Sequence, residues 1–378
     1  MELPVQRLPS RPVTCSAAWR NSRVPRRAIA SVLVFFLTSP AAFAQKVQIG
    51  VLGLFHPRQI TLSIANGEAL LLGADNNVFV LEPGPRPSTG RIRIAGGTLV
   101  LEIGDRVVRV AEIHATGRNS RAATFVLGVP GKINHQYCGT LSVKAIEGLI
   151  VPIVTMDLET AVASVVAAES APGAPLETLK AQAVVTRSYF IAGKGRHHDF
   201  DFCDLTHCQF LGDLPNPESP AGVASSATHG LVITFKEKPV AAMFTRSCGG
   251  RTRTPADLGI RSSGYPYFSV RCDYCYKNPS RWTRRIPEDE AARLLGKGEA
   301  GRLAVDRLLG WNAVPSNNFT ARTEEGEVIL EGVGQGHGIG FCQRGAKAMA
   351  EAGASFREII SHYFPNTTLT SLDPQGTS

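Results

Sequence analysis

The chain has 378 residues, of which 43% are hydrophobic and 19% charged, and its formal net charge is +8. This composition excludes a largely disordered chain and predicts a globular protein with one large domain or two. Residues 1–44 carry six arginines and one glutamate, so the formal charge of the remaining chain is only about +3. No basic stripe with interleaved aromatic residues follows, and we therefore expect no nucleic-acid partner.

Residues 1–44 have the pattern of a secretory signal peptide. Arg26 and Arg27 precede an apolar run over Ala28–Leu37, and a small-residue Ala-Phe-Ala pattern ends at Ala44. A transmembrane anchor is the weaker alternative, because the apolar run has about half of a spanning length. We therefore expect an exported protein, located in the periplasm or cell envelope after cleavage near Ala44.

Seven short segments between about Lys46 and Leu149 predict β-strands. They contain β-branched residues with partial alternation, and Gly, Asn or Pro separates them. The segments are VQIGVLGL, ALLLG, VFVLE, RIRIAG, TLVLEIG, VVRVAEI and AATFVLG. Strands at about ten-residue spacing predict a sandwich or a curled sheet. The region has no cluster of Cys, His or carboxylates, which favours a packing or docking role over catalysis.

The pattern changes after VPIVTMD, where Asp157 is a plausible N-cap for a helix that ends near AAESAPGAP. A second helix is predicted from Leu176 to about Ala192. Further on, HGLVITF and VAAMFTRSCGG predict a hairpin, EDEAARLLG and GRLAVDRLLG are helical, and FTARTEEGEVILEG is strand-like. The glycine-rich GVGQGHGIG then opens a helix, and FREIISHYFP follows. This order of elements predicts an α+β fold.

The stretch HHDFDFCDLTHCQF contains a candidate metal site. Cys203, His207 and Cys208, with His197 or His198 upstream, supply the soft and borderline donors of a tetrahedral zinc site. The alternative is a Cys203–Cys208 disulfide, which export would permit. The additional donors favour the metal. Four protein ligands would fill the shell and leave no position for water, so we expect a structural metal.

Glu169 closes the first predicted helix after the apolar VASVVAA. A carboxylate at the edge of an apolar surface is suited to general-acid catalysis, although an exposed helix-end residue is the simpler interpretation from the residues alone. No second acid stands at a fixed spacing, so paired-carboxylate glycosidase chemistry is not indicated. His337 lies between two glycines, in a loop that fits neither a P-loop nor a dinucleotide fingerprint; a turn with a solvated histidine explains it equally well.

Five segments in a fixed order carry a resemblance to a known family. They are LETAVASVVAAES, LETLKAQAVVTRSY, CDLTHCQ, SCGG and GHGIGFCQRGA. Together they resemble the stage II sporulation protein D family of peptidoglycan lytic transglycosylases, from about Tyr137 to Pro365. The resemblance implies a catalytic domain of mixed strands and helices over residues 137–370, after a signal peptide over 1–44 and a β-rich region over 45–136.

The resemblance also implies a reaction and its residues. Glu169 is the implied catalytic acid, which protonates the glycosidic oxygen between N-acetylmuramic acid (MurNAc) and N-acetylglucosamine (GlcNAc) of denuded peptidoglycan strands. The 6-hydroxyl of MurNAc then attacks its own anomeric carbon and gives a 1,6-anhydro end, so no second carboxylate is needed. The implied substrate-binding residues are Lys180, Gln182, Arg187, Tyr189, Ser247, Cys248, Gly336, His337 and Gln343. The implied structural zinc is held by His197, Cys203, His207 and Cys208.

Three positions depart from the family pattern, and the first two bear mainly on substrate preference. Cys138 stands where the family often has arginine, Arg344 where it has tryptophan, and Ser170 where it has methionine. The cysteine could also add a disulfide. Four other cysteines are disulfide candidates whose pairing the sequence leaves open: Cys248, Cys272, Cys275 and Cys342.

Two other functions fit the sequence. A non-enzymatic protein could bind glycan and stimulate a partner N-acetylmuramoyl-L-alanine amidase or another cell-wall protein. A catalytic zinc hydrolase could be centred on Cys203 and His207. The presence of Glu169 favours the transglycosylase.

Overall fold

A computed structural model describes residues 45–65, 69–75, 77–84, 88–259, 269–288, 295 and 309–372. The predicted signal peptide lies outside these residues, and so does most of the predicted helices EDEAARLLG and GRLAVDRLLG. Within the described part of the chain, no helix is long and apolar enough to span a membrane. The described residues form two compact units. The first unit comprises the residues up to Ala168 with Gly195–Gly222, and the second comprises Glu169–Lys194 with the residues from Val223 onward.

The first unit is built on a twelve-stranded sheet among its described residues. Its strands are β1 Lys46–Gly50, β2 Gln59–Ile64, β3 Leu70–Ala74, β4 Asn77–Leu81, β5 Thr89–Ala95, β6 Thr98–Ile103, β7 Arg106–Val110, β8 Glu112–Thr116, β9 Ala123–Val129, β10 Ile133–Ile146, β11 Leu149–Asp157 and β12 Phe202–Cys203.

The strand order is β12-β1-β11-β10-β9-β2-β5-β6-β7, and β8 joins β10 to a β3–β4 pair. Alternation buries one face of several strands; in β2, for example, Ile60, Leu62 and Ile64 are buried while their neighbours are partly exposed. The predicted β-rich region and the α+β class are confirmed. The seven predicted segments missed β2, β10 and β11, and VVRVAEI forms two strands, β7 and β8, instead of one.

The predicted boundary between residues 136 and 137 falls inside β10, which pairs with β8, β9 and β11. A strand that is hydrogen-bonded on both sides cannot be divided between two domains. The first compact unit therefore extends well beyond the predicted 45–136 region.

Helix α1, Leu158–Glu169, follows β11 directly. The Asp157 carboxylate Oδ1 accepts hydrogen bonds from the backbone N–H groups of Glu159 at 2.9 Å and Thr160 at 3.2 Å. These bonds satisfy donors that have no partner inside the helix, so Asp157 is the predicted N-cap. The helix is buried from Leu158 to Val166, and its last three residues reach the surface.

The second unit contains helices and short strands. Its elements are α2 Leu176–Ala192, most of α3 Pro220–Ala227, β13 Leu231–Phe235, β14 Lys238–Pro239, β15 Phe244–Thr245, α4 Asp273–Lys277, β16 Arg281–Pro287, β17 Phe319–Glu324, β18 Glu327–Val333, β19 Phe341–Cys342, α5 Gln343–Glu351, α6 Phe356–Tyr363 and β20 Thr368–Ser371.

Helix α2 occupies the centre of the second unit and has the predicted bounds. It packs against β13, α5 and α6, and its residues from Thr178 to Phe190 are buried except for Lys180. A helix that is buried all round shows little amphipathic periodicity. The side-chain directions along α2 therefore depend on its neighbours more than on its own sequence.

The predicted hairpin is wrong, whereas the strand-like character of FTARTEEGEVILEG is confirmed. β13 turns through Lys236 and Glu237 to pair with β14, and its other edge pairs with β20. VAAMFTRSCGG thus does not form the second arm, because β15 within it pairs in parallel with β19. FTARTEEGEVILEG forms the β17–β18 hairpin, and β16 pairs with the other edge of β18.

Candidate functional site

In the first unit, His197, Cys203, His207 and Cys208 form a compact group, here called the His/Cys cluster. Their possible ligand atoms all lie within 4.8 Å of one another. The nitrogen–sulfur distances are 3.4 Å from His197 Nε2 to Cys208 Sγ, and 3.7 and 3.6 Å from His207 Nδ1 to the sulfurs of Cys203 and Cys208. In a tetrahedral site, zinc bond lengths give nitrogen–sulfur edges of about 3.6 Å. The donors and their spacing therefore fit zinc.

The edge of the large sheet positions two members of the cluster. Cys203 belongs to β12, which pairs in parallel with β1 so that Cys203 lies beside Gly50. A Cβ at Gly50 would come within 2.7 Å of the Phe200 ring. That ring stacks on the His197 imidazole, with centroids 4.6 Å apart. The glycine thus leaves room for the aromatic ring that orients His197.

A buried carboxylate fixes the loop next to Cys203. Asp204 Oδ2 accepts a hydrogen bond from Leu52 N at 2.6 Å, and Oδ1 accepts one from Gly53 N at 3.3 Å. Burial raises the pKa of Asp204 to about 6, although these hydrogen bonds act in the opposite direction. The bonds attach the loop to the segment that follows β1.

The cluster includes His197 and leaves out His198. The side chain of His198 is 97% exposed and lies 3.5 Å from the Asp199 carboxylate.

A hydrogen bond from Cys203, supported by the imidazoles of His197 and His207, lowers the pKa of Cys208 below that of an ordinary thiol. Cys208 is therefore poised to be a thiolate, the form of cysteine that binds metals.

In the second unit, the side-chain amide of Gln343 connects three of the expected site residues. Its Nε2 donates to the backbone carbonyl of Glu169 at 3.0 Å and to Gln182 Oε1 at 3.3 Å. Gln182 Nε2 lies 3.4 Å from Thr186 Oγ1, one turn further along α2. Glu169 itself is partly exposed at the end of α1. Its backbone is thus held while its side chain reaches the surface.

Lys180 forms an ion pair at the surface of α2. Its Nζ lies 2.6 Å from Glu177 Oε1, and its side chain is 21% exposed. Glu177 Oε2 also accepts a hydrogen bond from Phe356 N at 2.8 Å. The hydrogen bond from Lys180 is the main reason why the pKa of Glu177 is lowered. A ligand carboxylate that binds Lys180 would have to compete with Glu177.

Arg187 has a different environment from Lys180. It is fully buried, and its guanidinium donates to the carbonyls of Leu231 at 3.0 Å and Ser225 at 3.3 Å. In this conformation it has no surface for a glycan and instead ties α2 to the residues around β13. Four more expected contact residues are also at most 3% exposed: Gln182, Tyr189, Ser247 and Cys248. The partly exposed ones are Lys180, Gly336, His337 and Gln343.

The SCGG turn and the glycine-rich loop pair with each other. Ser247 and Gln335 exchange two backbone hydrogen bonds, of 3.1 and 2.8 Å. The Thr245 hydroxyl donates to the Gln335 carbonyl at 2.8 Å and accepts from Gly338 N at 3.1 Å. These bonds bring two motifs that are almost ninety residues apart in the sequence into one layer.

Within this layer, His337 is held in its neutral form. Its Nδ1 accepts a hydrogen bond from Ile339 N at 3.0 Å, and this nitrogen must therefore carry no proton. The residue as a whole is partly exposed, but its ring is desolvated, and this lowers the pKa of His337 to about 4 against a smaller opposing effect of a hydrogen bond with the Phe244 backbone.

The structure also brings together Cys248, Cys272, Cys275 and Cys342, here called the four-cysteine cluster. All four are buried free thiols whose sulfurs lie within 4.8 Å of one another. The sequence leaves these residues as unpaired disulfide candidates and does not predict a four-residue group. The one local signal is the Cys-x-x-Cys spacing of Cys272 and Cys275, which is common in zinc sites.

A family model described as Stage II sporulation protein matches residues 147–235. In this segment the chain is similar to the SpoIID family. The matched segment contains Glu169, both helices α1 and α2, and the whole His/Cys cluster. The glycine-rich loop, the SCGG turn and the four-cysteine cluster lie outside it.

Three relatives are similar to this chain over more than half of its length, and the two with descriptive names support a cell-wall-related role. An uncharacterised protein of Brachyspira hyodysenteriae is 26% identical over 263 residues, covering 61% of this chain and 71% of its own. The amidase enhancer of Bacillus subtilis is 25% identical over 276 residues, 52% of this chain but only 38% of its own length. The stage II sporulation protein D of Bacillus amyloliquefaciens is 24% identical over 259 residues, covering 57% and 75%. The SpoIID family is associated with cell-wall degradation.

We expect Arg187→Met to lower the free energy of unfolding by roughly 2–4 kcal/mol, because it leaves a buried and a partly buried carbonyl without their charged donor. Lys180→Met is the matched control on the same helix and should cost at most about 1 kcal/mol, as expected for a partly exposed ion pair. Urea unfolding measures both. An Arg187→Met protein of wild-type stability that no longer binds glycan would instead make Arg187 a substrate contact.

We expect His337 to titrate near pH 4 rather than at its ordinary 6.5. Between these values the unfolded chain takes up a proton that the folded chain does not, so stability falls as the pH decreases, by at most about 3 kcal/mol. NMR titration of the ring measures the pKa directly. Unfolding at pH 7 and pH 5 should show a weaker decline for His337→Asn than for wild type. A ring pKa near 6.5 would contradict the neutral, hydrogen-bonded state.

Proposed function

We propose that the protein is an exported lytic transglycosylase. It cleaves the bond between MurNAc and GlcNAc in peptidoglycan strands, with strands lacking stem peptides as the preferred substrate, and leaves 1,6-anhydro-MurNAc ends. The observation that carries this proposal is Glu169, a partly exposed carboxylate inside the SpoIID segment whose backbone carbonyl is held by Gln343. Export, expected from residues 1–44, would deliver it to the cell envelope.

The chemistry requires a single protein acid. Glu169 donates its proton to the glycosidic oxygen as the bond from that oxygen to C1 of MurNAc breaks. The 6-hydroxyl oxygen of the same sugar forms the new bond to C1, and its proton passes to Glu169, which is thereby restored. Because the nucleophile belongs to the substrate, neither the second carboxylate nor the positioned water of an ordinary glycosidase is needed.

Lys180 is the cation best placed to receive the lactyl carboxylate of MurNAc. Of the two basic residues expected on α2, it is the one with exposed surface, whereas Arg187 is fully buried. In this arrangement the substrate carboxylate replaces Glu177 as the partner of Lys180. A bound glycan would thus exchange one charge-assisted contact for another.

We assign a structural role to zinc in the His/Cys cluster. Four protein donors at tetrahedral spacing leave no open position at which a metal could activate water. This closed shell disfavours a zinc hydrolase centred on Cys203 and His207. Removal of this zinc should therefore disorder its loop and lower activity together, because the free energy of metal binding contributes to folding.

A non-enzymatic role is the second candidate function. The relative named amidase enhancer favours it. In that role the protein would bind glycan and stimulate an N-acetylmuramoyl-L-alanine amidase, and the carboxylate of Glu169 would have no chemical task.

Purified protein is incubated with glycan strands stripped of stem peptides, and 1,6-anhydro ends are measured by mass spectrometry. We expect Glu169→Gln to reduce product formation by at least about 100-fold, because the amide cannot donate and recover the proton. Glu218→Gln, an exposed acid of the same segment, is the matched control and should keep wild-type activity.

Wild type that gives no more 1,6-anhydro product than Glu169→Gln would refute the transglycosylase. The same proteins are then added to a purified amidase. Equal stimulation by wild type and Glu169→Gln would establish the non-enzymatic role.

A further inference from the structure

We propose that the four-cysteine cluster is a second zinc site, structural in kind and confined to the second unit. It shares no residue with the His/Cys cluster, and it lies outside the segment that matches the family model. The inference rests on the four cysteines themselves and stands whether or not the protein cleaves glycan.

Three separate segments supply the ligands. Cys248 lies in the SCGG turn, Cys272 and Cys275 lie at the start of α4, and Cys342 ends β19. Cys272 N donates to the Gly250 carbonyl at 2.9 Å, which fixes the start of α4 against the turn. The parallel pairing of β15 and β19 sets Cys342 beside this same turn. Backbone hydrogen bonds thus hold the three segments so that their four sulfurs lie close together.

The spacing of the sulfurs fits tetrahedral zinc. Zinc–sulfur bonds of about 2.3 Å give sulfur–sulfur edges of about 3.8 Å. The sulfurs of Cys275 and Cys342 are 3.6 Å apart, and all four sulfurs lie within 4.8 Å of one another. Two disulfides would join the cysteines in pairs, whereas here Cys275 and Cys342 approach each other as part of a group of four.

Polar groups around the cluster suit thiolates. Cys248 N donates to Cys342 Sγ at 3.4 Å. The Ser247 hydroxyl lies 3.6 Å from Cys275 Sγ, and the Tyr363 hydroxyl lies 3.4 Å from Cys272 Sγ. A zinc ion with four thiolates carries two negative charges, and in a buried place such a centre needs hydrogen-bond donors. Three of the four sulfurs have one here.

The surroundings also leave little room for anything larger than a bare ion. A Cβ at Gly345 would overlap both Cys272 Sγ and the Tyr363 hydroxyl. The four cysteines are at most 2% exposed and lie in the main hydrophobic core of the second unit. Zinc would displace four thiol protons to solvent and would have a complete shell of protein ligands. The site is therefore structural, with no position for substrate or water.

Zinc at this position would fix the residue that holds Glu169. Cys342 directly precedes Gln343, the first residue of α5, whose amide bonds to the Glu169 carbonyl. The metal would join β19, α4 and the SCGG turn, so the start of α5 could not move independently of them.

The test compares two matched double variants of the full chain. Wild type should contain two zinc ions per molecule, and Cys272→Ser/Cys275→Ser and Cys203→Ser/Cys208→Ser should each lose one, as measured by elemental analysis. X-ray absorption of Cys203→Ser/Cys208→Ser should then show only sulfur neighbours, at about 2.3 Å from the zinc. If Cys272→Ser/Cys275→Ser does not fold, the zinc content and spectrum of Cys203→Ser/Cys208→Ser alone decide the question.

Three results would overturn the proposal. The first is a non-reduced, denatured wild-type mass that is lower by four hydrogens, with disulfides mapped to these cysteines. The second is a folded Cys203→Ser/Cys208→Ser protein without zinc. The third is iron bound by the four cysteines. This result would confirm the ligands but refute zinc as the metal. Wild-type spectra with an average of three sulfurs and one nitrogen per zinc would support the proposal independently of any variant.

Discussion

The hydrogen bonds of the Gln343 amide are the contacts on which the position of Glu169 depends. The last carbonyls of a helix have no partner within the helix, and one of them, that of Glu169, accepts from Gln343 Nε2. The same Nε2 donates to Gln182 in the buried α2. Without these bonds the last turn of α1 could fray, and the Glu169 carboxylate would lose its fixed position. Here the backbone is fixed at an interior helix, while the residue remains partly exposed.

The two cations of α2 show how burial separates residues that the sequence treats alike. Lys180 and Arg187 are seven positions apart, on one side of the helix by periodicity. Lys180 reaches the surface and pairs with Glu177, whereas Arg187 bonds two backbone carbonyls in the core. Arginine suits the buried position because its planar fork donates in several directions and it remains charged. The two residues have the same charge, but Lys180 makes a surface contact and Arg187 stabilises the interior.

Local signals predicted the elements that depend on local interactions. The bounds of α2 and the N-cap Asp157 agree with the structure, because helix ends are set by capping and by Pro and Gly nearby. The His/Cys cluster could be proposed because its donors lie within one short loop. Pairing between distant segments could not be predicted, and so the β13 partner, the burial of Arg187 and the four-cysteine cluster were missed or wrongly expected. Each depends on which segment packs against which.

The same difference in sequence separation gives the two cysteine clusters different energetic roles. His197 and Cys208 are 11 residues apart, whereas Cys248 and Cys342 are 94 apart. Closing the longer loop in the unfolded chain costs about 2 kcal/mol more in conformational entropy, at about 0.6 kcal/mol for each doubling of length. A metal at the His/Cys cluster therefore mainly orders its own loop. A metal at the four-cysteine cluster would stabilise the second unit as a whole, because it can bind only after the distant segments have come together.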